Sequence, residues 1–390
     1  MAAKLRVLHC LRAPVGGLFR HVLDLARAQV EAGCEVGLIA DATTGGEAAA
    51  RRFGEIGPSL ALGVTRVPMP RGIGLNDYTA VLATETLARR LRVDVLHGHG
   101  AKGGAYARWA GRKLKLAGQP VSVAYTPHGG SLHFESNSPQ GLLFHGLERQ
   151  LARITDGLIF ESKYSRRVYE AKIGKPSCLV RVVPNGLSPA DFSAHQPTSE
   201  ARDVLFVGEL RQLKGVDVLL AALARTSAPR PPTAMIVGEG PDENLFKAQT
   251  QALGLGTRVH FSGAMPAPNA FPLGRLMVVP SRAESLPYIV LEGAAAGTPM
   301  LLTNAGGIPE ITRGTNARLL EPGDADELSR RLSAYLTDPR PLLATAADLK
   351  RRVAVHFTIA KMTTDILDVY ARLQAQSASA MPAADFLVNS

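Results

Sequence analysis

Cysteine, aromatic residues and long apolar runs are all scarce in this chain of 390 residues. The three cysteines, Cys10, Cys34 and Cys178, have neither metal-type spacing nor an even count, so we expect reduced, buried thiols in a cytoplasmic protein. No run of about 18 apolar residues occurs, which excludes a membrane-spanning helix. The first residues lead directly into a short strand pattern, so we expect no signal peptide.

Excess negative charge is also missing, and the positive charge is unevenly distributed. Residues 1–197 contain 25 Lys and Arg against 15 Asp and Glu, whereas residues 198–390 contain 19 of each. The net charge of +10 therefore belongs to the first half, which favours an anionic partner surface; a solvated, arginine-rich surface is the alternative. Aromatic residues make up only 5% of the chain and no recognition motif accompanies the charge, so we expect no nucleic-acid partner.

Short apolar runs alternate with longer helical patterns, which is typical of βαβ units and parallel sheets. The length favours two α/β domains in tandem, whose strand ends would face a shared cleft. The alternation breaks near Pro184 and restarts at Val204, so we place the domain boundary between residues 195 and 196. We predict a helix over about 358–374 and a disordered tail over 377–390.

Three glycine-containing loops follow predicted strands. Gly16 and Gly17 precede the first helix, where they favour close approach of an anionic ligand, although a tight turn is the alternative. Arg211 and Lys214 follow the first strand of the second domain, and their charges favour a diphosphate over a merely solvated loop. Gly240 lies in a third loop, which either lines a nucleotide base pocket or forms a simple turn.

Two carboxylates, Glu284 and Glu292, bracket seven mostly apolar residues. Pro287 suits the first position of a helix because it needs no N–H partner there. Glu284 would then lie in the loop before the helix and Glu292 inside it, and the amides near Leu286, Tyr288 and Ile289 would point at the same cleft. This arrangement favours a ligand with many hydroxyls and a phosphate, while surface acids around a core helix are the alternative. No third carboxylate or histidine is spaced to complete a metal site.

Together these motifs resemble the family 4 retaining glycosyltransferases, which have the GT-B fold. The spacing of Glu284 and Glu292 is similar to the E-x7-E motif of that family. One position departs from the pattern, because Glu209 stands where the family commonly has an arginine, and we expect Arg211 to take over the phosphate contact. The agreement extends over most of the chain, through Gly16-Gly17, Asp94-Val-Leu-His97-Gly-His99, Thr126-Pro-His128-Gly129, Val183-Pro-Asn185-Gly186, Gly208-Glu-Leu-Arg-Gln-Leu-Lys214-Gly215, Gly297-Thr-Pro299 and Gly306-Gly307-Ile-Pro-Glu310.

The resemblance implies a GT-B architecture of two Rossmann-like parallel-sheet domains facing a cleft. Residues 1–195 would bind the acceptor and residues 196–357 the nucleotide-sugar donor, with the C-terminal helix at about 358–374 crossing back to the first domain. The implied reaction is retaining, metal-independent transfer of a hexose from a nucleotide-diphosphate sugar, UDP-sugar rather than GDP-mannose. The implied acceptor is a glycan or lipid-linked molecule of bacterial exopolysaccharide, capsule or lipopolysaccharide synthesis. A GT-B-like epimerase and a non-catalytic nucleotide-sugar sensor are the alternatives.

The resemblance also assigns roles to individual residues. Lys214 and Arg211 would hold the diphosphate, and Glu292 would hold the ribose. His128 and Glu284 are the predicted catalytic residues, at the reacting centre and on the hydroxyls of the transferred sugar. The other predicted donor-binding residues are Gly16, Gly17, Gly240, Ser285, Leu286, Pro287 and Tyr288, and the acceptor-side residues are His97 and His99, both expected in loops, and Asn185. No cofactor or metal is expected, since Asp324-Ala-Asp326 is better explained as a helix cap.

A basic segment in the first half contains the only tryptophan. Arg108, Arg112 and Lys115 follow a helical spacing beside Trp109, which suits an anionic membrane surface, where each cation contributes about 1 kcal/mol. We therefore expect a cytoplasmic enzyme that binds peripherally to the inner face of the cytoplasmic membrane.

Overall fold

The computed structural model describes residues 4–72, 74–227 and 229–379, and its contacts divide the chain into two units. The first comprises Met1–Pro184 and Ile359–Ser390, and the second comprises Asn185–Thr358. The division precedes the expected boundary at residue 195, because the backbone N–H of Leu187 donates to the carbonyl of Phe357 in the second unit, at 2.8 Å. Of the predicted disordered tail, residues 377–379 continue the last helix, and residues 380–390 lie outside the described residues.

The first unit is an α/β layer structure around a parallel sheet. Its strands are β1 (Arg6–Leu11), β2 (Glu35–Asp41), β3 (Gly63–Val67), β4 (Val95–His99), β5 (Ser122–Thr126), β6 (Gly157–Phe160) and β7 (Leu179–Val182). They pair in the order β3-β2-β1-β4-β5-β6-β7, all in parallel. Its first helices are α1 (Gly16–Glu31), α2 (Gly46–Ile56), α3 (Leu75–Leu91), α4 (Gly100–Leu116), α5 (Pro139–Ala152) and α6 (Lys163–Lys172). Strand β1 is apolar over most of its length because helices cover both faces of such a sheet.

The second unit repeats this architecture with a smaller parallel sheet. Its strands are β8 (Arg202–Val207), β9 (Ala234–Val237), β10 (Val259–Phe261), β11 (Gly274–Val279) and β12 (Met300–Leu302), in the order β10-β9-β8-β11-β12. Its helices are α7 (Val216–Arg225), α8 (Glu243–Ala252), α9 (Ala267–Ala270), α10 (Tyr288–Ala296), α11 (Ile308–Thr312), α12 (Ala325–Thr337) and α13 (Arg340–His356). Two parallel α/β sheets in one chain confirm the fold class predicted from the sequence.

The last helix, α14 (Ile359–Ser379), belongs to the first unit. Its apolar residues recur every three or four positions, so they form one stripe that packs against the sheet. Met362, Ile366 and Tyr370 are buried there in one cluster with Val7 and Val95.

Each sheet has one position at which the chain connections change direction. In the first unit it lies between β1 and β4, and in the second between β8 and β11. Loops that follow such neighbouring strands diverge and leave room for a ligand at the carboxyl ends of the strands. The predicted site residues are therefore best located relative to these two positions.

Candidate active site

In the second unit, the loops after β8 and β11 bring together two predicted donor residues. The Nζ of Lys214 lies 2.7 Å from Oε1 of Glu284, and the hydroxyl of Ser281 donates to the same oxygen at 2.8 Å. The side chain of Glu284 is only 8% exposed, whereas that of Lys214 is 26% exposed. Burial of the carboxylate is compensated by the ammonium and the hydroxyl, while the lysine keeps an open side.

Two glycines allow the backbones of these loops to approach each other. Gly306 has φ +59°, and a Cβ there would overlap the carbonyl of Glu284; Gly215 has φ +73°, and a Cβ there would overlap the carbonyl of Pro280. Both positions need glycine for the left-handed conformation and for the space. Both glycines belong to motifs that carry the family resemblance, and the structure shows why glycine is required at each position.

An arginine that sequence reasoning missed also ties these loops together. Arg282 donates to the carbonyl of Gln212 at 2.6 Å and to both carboxylate oxygens of Asp217, at 2.7 Å and 2.6 Å. The Arg282 amide further donates to the carbonyl of Leu213 at 2.8 Å. Arg282 therefore fixes the backbone of the two residues that precede Lys214 in the β8–α7 loop. Arg282 stands in the loop between Val279 and Glu284, but its partners could not be identified without the fold.

Arg211 lies apart from this group. Its Nη1 is 3.8 Å from Oε2 of Glu209, and the two side chains are 47% and 52% exposed. An ion pair this exposed contributes about 0–1 kcal/mol, so the guanidinium can exchange Glu209 for another anion at little cost.

Helix α10 starts one residue later than predicted. Pro287 has an extended backbone, φ −72° and ψ 123°, and stands just before Tyr288, the first helical residue. The carbonyl of Pro287 accepts from the amides of Val290, at 3.2 Å, and Leu291, at 3.4 Å. Proline still introduces the helix, whose N-terminal end carries the positive end of the helix dipole. Glu292 is a half-buried residue inside α10, as its position in the sequence predicted.

Asn185 and Gly240 support the loops of the second unit. Asn185 is the first residue of this unit rather than part of the first domain, and its Nδ2 donates to the carbonyl of Leu286 at 2.9 Å. Its buried amide therefore fixes the backbone that leads into α10. At Gly240 a Cβ would overlap the backbone of Leu210, so the β9–α8 loop lies directly against the β8–α7 loop.

In the first unit, α1 begins at Gly16, which has φ +62°, and Gly17 follows in its first turn. Arg12 stands between β1 and this helix, and its buried Nε has no hydrogen-bond partner among the described residues. Native proteins rarely leave a buried donor unsatisfied, so this atom is a candidate donor to a water or a ligand. Sequence reasoning had passed over Arg12.

His128 follows β5 in a left-handed conformation, φ +50°, which is unusual for a residue other than glycine. Its Nδ1 lies 2.7 Å from Oε1 of Glu161, and its Nε2 lies 3.1 Å from Nδ1 of His99. Both ring nitrogens are thus engaged inside the first unit. Glu161, at the end of β6, was not recognised as a site residue from the sequence.

The prediction that His97 and His99 lie in loops was wrong. Both are buried residues of β4, and their side chains point to the same face because strand residues alternate. Nδ1 of His97 lies 2.6 Å from the Tyr370 hydroxyl and its Nε2 lies 2.9 Å from Oγ1 of Thr126. Nε2 of His99 lies 2.9 Å from Nδ1 of His9, which pairs with His97 across the strands.

Burial disfavours a positive charge on three of these rings. Burial lowers the pKa of His9 to about 4, and it lowers the pKa values of His97 and His99 well below the ordinary value. Two sets of three histidines have ring nitrogens within 4.8 Å of one another: His9, His97 and His99, and His21, His99 and His128. These are the described residues best placed to hold a metal. Both nitrogens of His9, His97, His99 and His128 have hydrogen-bond partners within the first unit.

The predicted membrane face on α4 requires one correction. Arg108 is fully buried and forms a bidentate pair with Glu148 at 2.6 Å and 3.1 Å, beneath the ring of Tyr125. Because it is buried, Arg108 cannot contact a membrane. The prediction failed because the helical spacing of the basic residues does not reveal a buried acidic partner on α5. Trp109 and Lys115 are exposed, and Lys115 pairs with Asp156.

Arg112 is exposed on the same helix, and α4 and α5 carry further exposed apolar side chains: Trp109, Leu116, Leu142, Leu143 and Leu147. Within the described part of the chain, no helix has both the length and the apolar character needed to cross a bilayer.

Two family models match the chain, one in each half. Residues 15–191 match the model described as Glycosyltransferase Family 4, and residues 188–354 match that described as Glycosyl transferases group 1. The second match contains the Lys214–Glu284 group, and the first contains His128 with its partners.

Known proteins resemble the chain over nearly its whole length. A glycogen synthase of Mycobacterium tuberculosis is 27% identical, with 91% of both chains covered. Among solved structures, the sucrose-phosphate synthase of Thermosynechococcus elongatus has a TM-score of 0.78 at 20% identity, covering 96% of this chain and 100% of its own. HepE of Anabaena, solved in complex with UDP and glucose, has a TM-score of 0.77 at 20% identity, covering 95% of this chain and 100% of its own.

Proposed function

The chain belongs to the family 4 glycosyltransferases of the GT-B fold, and we propose that it transfers a hexose from a UDP-sugar to a glycan or lipid-linked acceptor with retention of configuration. The observation that carries this proposal is the group formed by Lys214, Glu284 and Ser281 beside the start of α10. It combines a cation and the positive end of a helix for phosphate oxygens with a carboxylate for sugar hydroxyls.

Without a donor, Lys214 is neutralised by Glu284. A diphosphate that reaches the open side of the ammonium adds a second anionic partner, and it also attracts the guanidinium of Arg211 away from Glu209. Glu292 then accepts hydrogen bonds from the ribose, and Glu284 from the hydroxyls of the transferred sugar. The cations stabilise the charge that develops on the leaving phosphate, where each well-aligned group contributes about 3–4 kcal/mol to the transition state.

Retention follows if the acceptor attacks from the side on which the diphosphate leaves. The bond between the anomeric carbon and the phosphate oxygen breaks, the electron pair stays on the phosphate, and the acceptor oxygen bonds to the same face of the sugar. The acceptor proton passes to the departing phosphate. Lys214 and the α10 amides supply the positive field for this step, so we propose that no divalent cation is needed.

The preference for UDP is supported by the complex of HepE with UDP and glucose, a structure that shares the fold of this chain. A thermal-shift screen with UDP, GDP, UDP-glucose and GDP-mannose tests the donor. We expect UDP and a UDP-sugar to raise the melting temperature more than the guanine nucleotides do. The reverse order would overturn the UDP assignment, and no shift with any of the four would overturn the donor site.

Transfer is tested with the donor that binds, a panel of glycan and lipid-linked acceptors, and EDTA. The proton NMR spectrum of the product should show the anomeric configuration of the donor, and EDTA should leave the rate unchanged. Inverted product would exclude the retaining mechanism, and loss of activity in EDTA would contradict metal independence. If Glu284→Gln kept wild-type turnover, the Glu284 carboxylate would not be required for catalysis.

We propose further that the exposed apolar residues of α4 and α5, with Arg112 and Lys115, bind an anionic membrane surface that carries a lipid-linked acceptor of exopolysaccharide, capsule or lipopolysaccharide synthesis. Vesicles containing phosphatidylglycerol should sediment the protein at low salt, and Leu142→Asp should reduce this binding. Leu343→Asp, at an exposed leucine of the second unit, is the matched control. Equal binding by both variants would exclude this surface.

A further inference from the structure

Five side chains in the first unit form an unbroken line of hydrogen bonds, which we call the histidine chain: Gln29, His9, His99, His128 and Glu161. Oε1 of Gln29 lies 2.8 Å from Nε2 of His9, whose Nδ1 lies 2.9 Å from Nε2 of His99. Nδ1 of His99 lies 3.1 Å from Nε2 of His128, whose Nδ1 lies 2.7 Å from Oε1 of Glu161. Gln29, His9, His99 and Glu161 are nearly or fully buried, and the side chain of His128 is 7% exposed.

The number of protons in this line does not match three neutral rings. The line has four contacts, and both of its ends, Oε1 of Gln29 and the Glu161 carboxylate, only accept. Each contact needs one proton, and a neutral imidazole supplies one, so His9, His99 and His128 together supply three. The fourth contact requires either one additional proton or an amide of Gln29 that is turned over so that it donates.

The additional proton belongs at the Glu161 end. Burial lowers the pKa of His9 to about 4 and that of His99 well below its ordinary value, which disfavours charge on those rings. Glu161 offers a carboxylate in direct contact with His128, and its second oxygen, Oε2, is buried with no partner among the described residues. A buried carboxylate needs a compensating charge, and an imidazolium at His128 supplies it.

Turning the Gln29 amide over is equally compatible with its other neighbours. Its Nε2 lies 3.4 Å from the Tyr370 hydroxyl, which lies 2.6 Å from Nδ1 of His97, and Nε2 of His97 lies 2.9 Å from Oγ1 of Thr126. Hydroxyls both donate and accept, so this branch is fully hydrogen-bonded with either orientation of the amide. The network therefore has two complete arrangements that differ by one proton.

We propose that the histidine chain stores a single proton at His128 and that Glu161 is the positioning residue that makes this possible. In the loaded arrangement His128 carries protons on both nitrogens, while His9, His97 and His99 carry theirs on Nε2. In the empty arrangement all four rings carry one proton, on Nδ1, and the Gln29 amide is turned over. Conversion of the loaded to the empty arrangement releases one proton from the network to solvent, the positive charge disappears from His128, and the remaining proton of each ring is redistributed between its two nitrogens.

Other titratable groups around the network remain in one state. Burial raises the pKa values of Tyr125 and Tyr370, which keeps both phenols protonated, and raises that of the Cys34 thiol. Arg108 and Glu148 neutralise each other. His21 packs edge-on against His128 and also within 5.7 Å of His99, ring centre to ring centre, and it is the one further imidazole whose signal must be followed.

The two arrangements differ in the charge of the loop that carries His128, and each of them satisfies every hydrogen bond of the network. Only the catalytic meaning of this change, the use of His128 during glycosyl transfer, rests on the proposed function. The proton store itself is a property of the first unit. An experiment on the free protein therefore separates failure of this inference from failure of the donor assignment.

The test is a nitrogen-15 NMR titration of the histidine-labelled full-length protein from about pH 5 to about pH 9, which spans histidine ionisation. Two-bond proton–nitrogen correlations identify the tautomer of each ring. We expect His9, His97 and His99 to change from Nε2–H to Nδ1–H at one common midpoint, at which His128 loses its charge. Different tautomers among these three rings at one pH, or separate midpoints, would overturn the proposal.

Glu161→Gln keeps an acceptor for Nδ1 of His128 but removes the charge. This variant should hold the network in the Nδ1–H arrangement to a lower pH than wild type, and a midpoint equal to that of wild type would contradict the role of Glu161. Glu170→Gln, which removes a partner of Arg166 on α6, is the matched control and should titrate as wild type does. The wild-type titration decides the matter if Glu161→Gln does not fold. Stoichiometric Zn²⁺ that shifts three of the rings would assign them to a metal site instead.

Discussion

Replacing Lys214 with Met separates the structural and catalytic roles of the Lys214–Glu284 pair. The variant leaves the carboxylate of Glu284, which is 8% exposed, with the Ser281 hydroxyl and no cation. Because Lys214 is 26% exposed, we expect its loss to cost about 1–3 kcal/mol, less than the loss of a fully buried partner. For a domain of about 150–250 residues, each kcal/mol lowers the melting temperature by about 2–4 °C, so we expect a decrease of about 2–12 °C.

The same substitution removes a cation from the leaving phosphate. Loss of one such stabilising group lowers kcat by about 10²–10³. The double variant Lys214→Met, Glu284→Gln should recover part of the lost stability, because the unpaired charge is gone, yet it should recover no activity. Differential scanning calorimetry and a transfer assay on the same preparations measure both effects.

Lys247→Met is the matched control, because Lys247 pairs with Glu243 on the exposed surface of α8. It should change the melting temperature by less than about 2–4 °C and leave kcat unchanged, since exposed pairs contribute about 0–1 kcal/mol. The account is refuted if Lys214→Met behaves like this control, or if the double variant regains wild-type turnover.

Three further predictions concern particular contacts. Arg108→Met leaves Glu148 buried without its partner, so urea denaturation should show that the first unit is destabilised by about 3–5 kcal/mol. The folded variant should still bind vesicles as wild type does. Weaker vesicle binding would contradict the buried placement of Arg108. Gly306→Ala requires a Cβ where the Glu284 carbonyl lies, so we expect a lower melting temperature and weaker UDP binding by calorimetry, whereas Gly314→Ala, at an equally left-handed glycine with open space, should leave UDP binding unchanged. Burial lowers the pKa of His9 from 6.5 to about 4, so its contribution to the free energy of unfolding is complete above pH 6.5 and is lost as the pH falls toward 4. This loss corresponds to about 3 kcal/mol. In His9→Gln, the free energy of unfolding should therefore depend less on pH between these two values.

The alternation of apolar runs and helical patterns sufficed to predict two parallel α/β units, because buried parallel strands must be apolar and their crossovers must be helical. The position of Pro287 predicted the start of α10 to within one residue. Local rules of this kind depend on neighbouring residues only, so a sequence contains them in full.

Long-range contacts were beyond such rules. Lys214 and Glu284 were each assigned to a donor from local motifs, but their direct contact depends on the adjacency of β8 and β11. Arg108 was misplaced for the same reason, since a helical spacing cannot reveal a buried acid on another helix.

The histidine chain was also invisible, because it requires β1 next to β4 and α1 above them. The spacing of His97 and His99 was nevertheless a usable signal, since residues two apart in a strand share one face.

The central claim is that the second unit binds a nucleoside diphosphate between the β8–α7 and β11–α10 loops. Hydrogen–deuterium exchange of the full chain, with UDP and with GDP in parallel and EDTA in both samples, tests it most directly. We predict slower exchange in peptides that cover residues 208–215 and 281–291 with one of the two nucleotides, and no such protection in Lys214→Met. Unchanged exchange in both segments with both nucleotides would contradict the account.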